Sequence, residues 1–334
     1  MSVTSNKQSQ AMEPRVLLAA SVTALLWASA FVSIRACADY FSPGALALGR
    51  LLSGSLVLVA VLLATRGGLP SRKAWPGIAC SGVLWFGGYM VLLNWGEQLV
   101  DAGTAAMVVN IGPLVIALLG GWLLKEGFPP MLLAGMAVSF AGAVVVGLSM
   151  SGEGESSTLG VLLCLLAALA YGGGVVLQKP ALKHATPLQV TTFGCLIGAV
   201  VCLPFAGQLV RDLGTAPATA TLNVVYLGVF PTALAFSTWA YALSRISAGS
   251  LGATTYAVPA VVVLISWIAL DEVPGWLTLL GGAVCLAGVA VSRMRRPAGR
   301  AAAATAAATP EVAGEAGPGG IEPEADEVRT DSGR

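Results

Sequence analysis

The chain has 334 residues, of which 56% are hydrophobic and 10% charged, and its mean hydropathy is +0.81. A soluble globular domain carries roughly 25% charged residues, so the composition excludes a soluble enzyme and points to an integral membrane protein. A formal net charge of +1 offers no concentrated basic surface for nucleic acid.

A bilayer-spanning helix needs roughly 20 mostly apolar residues. Residues 1–15 are polar and predict a cytoplasmic N-terminal segment. Ten apolar segments follow, at 16–37, 43–64, 75–96, 102–124, 130–149, 159–179, 187–207, 219–243, 248–270 and 274–292. Backbone groups in lipid must be satisfied within each segment, which makes all ten helices. The loops are too short for a soluble domain. From 298 to 334 the chain turns to Ala, Gly, Pro, Glu and Thr, which predicts a disordered cytoplasmic tail. The first segment has a rival reading: Arg15, the apolar run and Ala28-Ser29-Ala30 have the layout of a cleaved signal peptide. Cleavage would leave nine spans and break the repeat described below.

Lys and Arg favour the cytoplasmic side. With the N-terminus inside, the inner segments hold Lys7, Arg15, Arg66, Arg72, Lys73, Lys125, Lys179, Lys183, Arg245, Arg293, Arg295, Arg296 and Arg300, while the outer loops hold Arg211 alone. The expected location is the cell membrane, multi-pass, with both termini cytoplasmic. Six cysteines lie in apolar runs without a CxxC spacing, which argues against a disulfide framework or a metal site. No P-loop is present, and no cofactor is expected.

Two series of residues repeat. Gly103, Pro113, Glu126, Gly135 and Gly142 recur as Gly249, Pro259, Glu272, Gly281 and Gly288, each 146 positions later. Trp27, Arg35, Pro43 and Gly54 face Tyr171, Lys179, Pro187 and Gly198 at an offset of 144. The chain therefore reads as two five-helix halves, 16–149 and 159–292. Five is odd, so the second half enters the membrane from the opposite side. The expected fold is an all-α integral membrane protein of ten transmembrane helices in two inverted repeats, an arrangement common in secondary transporters.

At these residues the chain resembles the EamA-type branch of the drug/metabolite transporter superfamily. The matching features are Trp27-Ala28-Ser29-Ala30-Phe31, Pro43 and Arg50, Pro113 with Glu126, Pro259 with Glu272, and the glycine pairs 135/142 and 281/288. The resemblance implies a ten-helix bundle around a central cavity. It also implies transport of amino acids or other small metabolites, often outward.

Interrupted helices at matching positions of two halves point to a binding site. Pro113 and Pro259 are such candidates, with a simple packing kink as the alternative. Asn110 and Tyr256 each precede one of these prolines by three residues. They are either solute contacts or an interhelical hydrogen bond. Trp27, Ser29, Tyr89, Tyr171 and Trp239 predict an aromatic wall with a few polar groups, suited to a small amphipathic solute. Trp85, Trp95 and Tyr241 are further candidates, and an interfacial belt is the alternative for any one aromatic residue. Arg50, seven residues into its span, is the deepest charge, with Glu97 as its expected ion-pair partner at an outer gate and Asp101 second. Its alternative is snorkelling to the outer headgroups. Glu126 and Glu272 precede Pro129-Pro130 and Pro274 and read as structural groups facing the positive end of the helix that follows. Gly135, Gly142, Gly281 and Gly288 mark close helix packing.

These readings converge on a secondary transporter working by alternating access. Its expected partners are a small-molecule substrate and membrane lipids, with a homodimer left open. A channel and an intramembrane lipid-modifying enzyme are the rivals; the spans hold neither rings of charge nor a paired nucleophile and base.

Overall fold

The structure is a computed structural model that describes residues 13–100, 105, 108–150, 157–261, 265 and 275–294. Asp101, Gly103, Glu272 and the tail 298–334 lie outside the described residues, as does the side chain of Arg35. Among the described residues there is no strand. The helices are α1 Pro14–Cys37, α2 Pro43–Ala64, α3 Arg72–Leu99, α4 Gly112–Leu123, α5 Pro130–Met150, α6 Thr158–Ala181, α7 Pro187–Thr215, α8 Ala218–Leu243, α9 Ala248–Thr254 and α10 Trp276–Arg293. Five of them (α2, α3, α6, α7 and α8) are long and apolar enough to cross a membrane by length and composition. Shorter apolar stretches occur in α1, α4, α5 and α10. Large apolar side chains face outward: Leu56 is 73% exposed and Leu63 72%. In water such a surface would aggregate; in lipid it is the solvated face.

The interhelical loops fall into two groups. Gln189 at the start of α7 donates to Gly67 O in the α2–α3 loop at 2.6 Å. Glu126 in the α4–α5 loop meets Lys179 at the end of α6 and Ala248 after the α8–α9 loop. At the other end, Asp212 at the end of α7 accepts from the Ser42 N–H before α2. There too Ser157 N donates to Leu99 O, joining the α3 and α6 termini. Asn94 Nδ2 donates to Pro43 O and ties these contacts together. Successive helices therefore alternate in direction. α7 runs eight residues beyond the predicted 207, because 206–215 continues as a helix with Leu209 buried and Asp212 turned toward α2.

α5 and α10 pack through their glycines. A Cβ on Gly142 would stand 2.6 Å from Cys285 N, and one on Gly281 2.9 Å from Gly142 O. Gly135 meets Gly288 and Ser292 in the same way. Rising residue numbers on one helix meet falling numbers on the other, so the pair is antiparallel. Ser139 Oγ donates to Cys285 O at 3.0 Å, and Cys285 Sγ donates to Ser139 O at 3.4 Å. These two residues are 146 apart, so the contact is its own counterpart.

Two helices contain π-helical segments at matching places, Gly82–Tyr89 in α3 and Gly228–Leu234 in α8. In α8 the cause is visible. Pro231 has no N–H to give Leu227 O, and Thr232 Oγ1 donates to that carbonyl instead, at 2.8 Å. Helix breaks also flank α4 and α9 at nearly matching places. Turns at 110–111 and 255–256 precede Pro113 and Pro259.

Candidate transport site

Where α1, α3, α6 and α8 converge, seven aromatic rings form one cluster. Trp27 comes from α1, Trp85, Phe86 and Tyr89 from α3, Tyr171 from α6, and Phe236 and Trp239 from α8. Trp27 stands 5.0 Å from Trp239 and 5.5 Å from Phe236, centroid to centroid. Phe236 is 4.6 Å from both Trp85 and Phe86. Tyr171 is 5.6 Å from both Trp85 and Tyr89. Each such pair contributes about 0.5–1.5 kcal/mol beyond its buried area.

Small and polar residues bring these rings together. The Gly172-Gly173-Gly174 run lets α3 approach α6: a Cβ on Gly174 would stand 2.6 Å from Trp85 Cβ. Gly112, at the break in α4, accommodates the Tyr171 ring. Thr23, one turn before Trp27, shares a 2.7 Å hydrogen bond with Thr238, the neighbour of Trp239.

Polar atoms without a partner occur in the cluster and further along one of its helices. Trp239 Nε1 and both polar atoms of the Gln178 amide are buried without a hydrogen-bond partner. Gln178 lies seven residues, two turns, after Tyr171 on the same face of α6. Tyr171 Oη is also buried without a hydrogen-bond partner. A buried donor or acceptor left unsatisfied costs about 1–3 kcal/mol. A set of them beside an aromatic wall is what a solute with both apolar and polar parts would use.

Of the residues singled out from sequence, Trp27, Tyr89, Tyr171 and Trp239 come together here. Ser29 does not: two residues after Trp27, it points to another side of α1 and shares a 2.7 Å hydrogen bond with Tyr226. Tyr256 is fully buried and donates to Asn110 O at 2.9 Å. Its ring belongs to the packing group of Ala117, Met136 and Cys285 and stacks on none of the seven rings. Arg50 is buried, and its Nε donates to Thr232 Oγ1 at 3.1 Å. Glu97 is within electrostatic range of Arg50, but among the described residues the two form no direct ion pair.

Glu126 is placed differently from its expected position. Its carboxylate accepts from Ala248 N at 2.8 Å and Gly249 N at 3.4 Å, at the start of α9 rather than of α5. It also forms a 2.9 Å ion pair with Lys179, which donates in turn to Ile246 O. Lys125 and Gly127 on either side have positive φ, 55° and 76°. That tight turn projects Glu126 across to the other half of the chain. Phe86, Phe236, Gln178 and Thr232 were missed from sequence. Pro231 in mid-span was the available signal for the last of these, and Trp239 three residues on for Phe236.

Comparison with known proteins agrees with this architecture. The EamA-like transporter family matches twice, over residues 14–148 and 158–294. A probable terminal-alkyne amino-acid exporter of Streptantibioticus cattleyicolor is 37% identical over 279 residues, covering 84% of this chain and 93% of the relative. The uncharacterized transporter YdfC of Bacillus subtilis is 34% identical over 281 residues, covering 84% and 92%. A solved crystal structure shares the fold with a TM-score of 0.70 at 24% identity, covering 83% of this chain and 96% of that one. The relatives are named transporters, not enzymes. With its apolar helices and its duplicated match, the chain belongs to the EamA-like transporter family and is a multi-pass membrane protein.

Proposed function

We propose that the protein is a secondary carrier that exports amino acids or related small metabolites across the cell membrane by alternating access. The observation that carries this reading is the aromatic cluster. Both halves contribute rings to it, and it is flanked by buried polar atoms that lack partners. A solute placed there would touch both halves at once, so a rocking motion between them would change its exposure from one side to the other. The cargo class and the outward direction draw on the amino-acid exporter among the relatives.

Ten spans in two inverted sets fit the alternation of helix direction and the antiparallel α5–α10 contact. The cytoplasmic assignment of both termini rests on charge. Arg66, Arg72, Lys73, Lys125, Lys179, Lys183 and Arg245 all belong to the loop group around Glu126, while Arg211 lies at the other end. Glu126, on the α4–α5 loop, ties α6 through Lys179 and α9 through Ala248 N at that end, and these contacts would part when that end opens. The breaks in α4 and α9 supply hinge points beside the cluster.

The test is counterflow in proteoliposomes with radiolabelled L-phenylalanine. A carrier takes up label faster when unlabelled amino acid is trapped inside, and Trp27→Ala and Tyr171→Ala each cut that rate at least about tenfold. Flux without trans-stimulation would identify a channel instead.

A further inference from the structure

Arg50 is 6% exposed, and an ionised group so enclosed needs a reason to be there. Its Nε donates to Thr232 Oγ1, which itself donates to the carbonyl that Pro231 leaves open. One of the five guanidinium donors is therefore committed to holding the group in a fixed orientation. Among the described residues, Nη1 and Nη2, with the other four, make no hydrogen bond or ion pair.

The fold does not require a cation at this place. By the repeat offsets of 144 and 146, Arg50 corresponds to Gly194 and Thr232 to Phe86. In that other half Gly194 packs directly on the Phe86 ring, which a Cβ would meet at 3.0 Å. The same crossing of a helix over a π segment is thus built once without any charge. A purely architectural role would predict the apolar solution twice.

The surroundings lead to the aromatic cluster. Thr232 lies four residues before Phe236, about one turn of its helix. Tyr89 lies the same distance from Trp85. Among the described residues, Tyr89, Cys195 and Glu97 are the titratable groups within electrostatic range of the guanidinium. A planar fork with two free edges fits a carboxylate through two parallel hydrogen bonds.

We propose that Arg50 binds the carboxylate of the transported solute through Nη1 and Nη2, while an apolar or aromatic side chain of that solute fills the cluster of Trp27, Trp85, Tyr171, Phe236 and Trp239. The proposal rests on the carrier reading above and narrows it to carboxylic acids. Decarboxylated amines are excluded, because they would leave the guanidinium uncompensated.

Three compounds sharing one phenyl ring test this on the purified full-length chain in detergent: L-phenylalanine, 3-phenylpropionate and phenethylamine. The wild type should gain thermal stability with both carboxylates and none with the amine. Arg50→Gln should lose roughly 10–100-fold in affinity for the carboxylates, and Arg50→Lys, which keeps charge without the fork, should fall between. Should Arg50→Gln fail to fold, Thr232→Val leaves the guanidinium present but unanchored, and a several-fold loss of carboxylate affinity is expected. Equal binding of phenethylamine by the wild type, lost in Trp27→Ala, would overturn the carboxylate anchor and leave the carrier reading standing. Unchanged carboxylate affinity in Arg50→Gln or in Thr232→Val would overturn the anchor too. No binding of any of the three, together with no counterflow, would remove both.

Discussion

In the α5–α10 contact, Ser139 donates to the carbonyl of Cys285, and Cys285 returns a bond to the carbonyl of Ser139. Around the aromatic cluster the equivalent positions have drifted apart. Trp27 faces Tyr171, Arg50 faces Gly194, and Thr232 faces Phe86. Even the helix starts differ: Thr186 before α7 forms a capping box with Gln189, whereas Ser42, its counterpart before α2, is held by Asp212 from elsewhere in the chain. Where the halves only support each other, duplicated chemistry suffices. On the carrier reading proposed above they share one solute, which has no two-fold symmetry, and identical chemistry on both sides would be wasted on one of them.

This contrast can be broken at its strongest point first. Gly142→Val would drive a side chain into the backbone of α10, 2.6 Å from Cys285 N, and backbone cannot turn aside. A loss of about 3 kcal/mol or more is expected, seen as loss of monodisperse protein on size exclusion. Survival with an unchanged melting temperature would mean that the seam is looser than described. Glu126→Gln should cost about 1–3 kcal/mol, since it weakens an ion pair and a charge-assisted cap together. A double-mutant cycle with Lys179→Met, read by thermal melting, should show coupling. A matching cycle on Arg35 and Glu272 asks whether the repeat extends to that pair.

Two tyrosines sharpen the comparison further. Tyr256→Phe removes a made hydrogen bond to Asn110 O and should lose about 1 kcal/mol of stability. Tyr171→Phe removes a hydroxyl without a bond. It should leave the melting temperature unchanged or raise it, while weakening solute-induced stabilisation. Equal losses in the two variants would show that Tyr171 is merely structural. The smallest effect is expected at Gly207, where a Cβ meets nothing within 4 Å. Gly207→Ala should stabilise by about 0.5–1 kcal/mol through helix propensity alone.

Helix positions were largely legible in the sequence because lipid imposes a length and a composition on each one. The glycine pairs were legible as contact points because a constant offset linked them. Trp27 and Tyr171 were singled out by the same offset, and Tyr89 and Trp239 by residue type; the structure brings these four rings together. Ser29 was misplaced because nearness in sequence does not fix the face of a helix, and two residues of separation turn a side chain about 200°. Glu126 was assigned to the nearest helix start when a left-handed turn carries it to a distant one; no local pattern announces such a reach. The π segments were missed for a related reason: they depend on a proline in one case and on packing in both, and hydropathy is blind to either.

The α5–α10 seam has one more consequence. A surface that binds its own counterpart through reciprocal bonds is self-recognising. Two separate five-helix chains carrying it, inserted in the membrane in opposite senses, would already meet there correctly. Joining the halves in one chain fixes their ratio, and the surface itself decides how they dock.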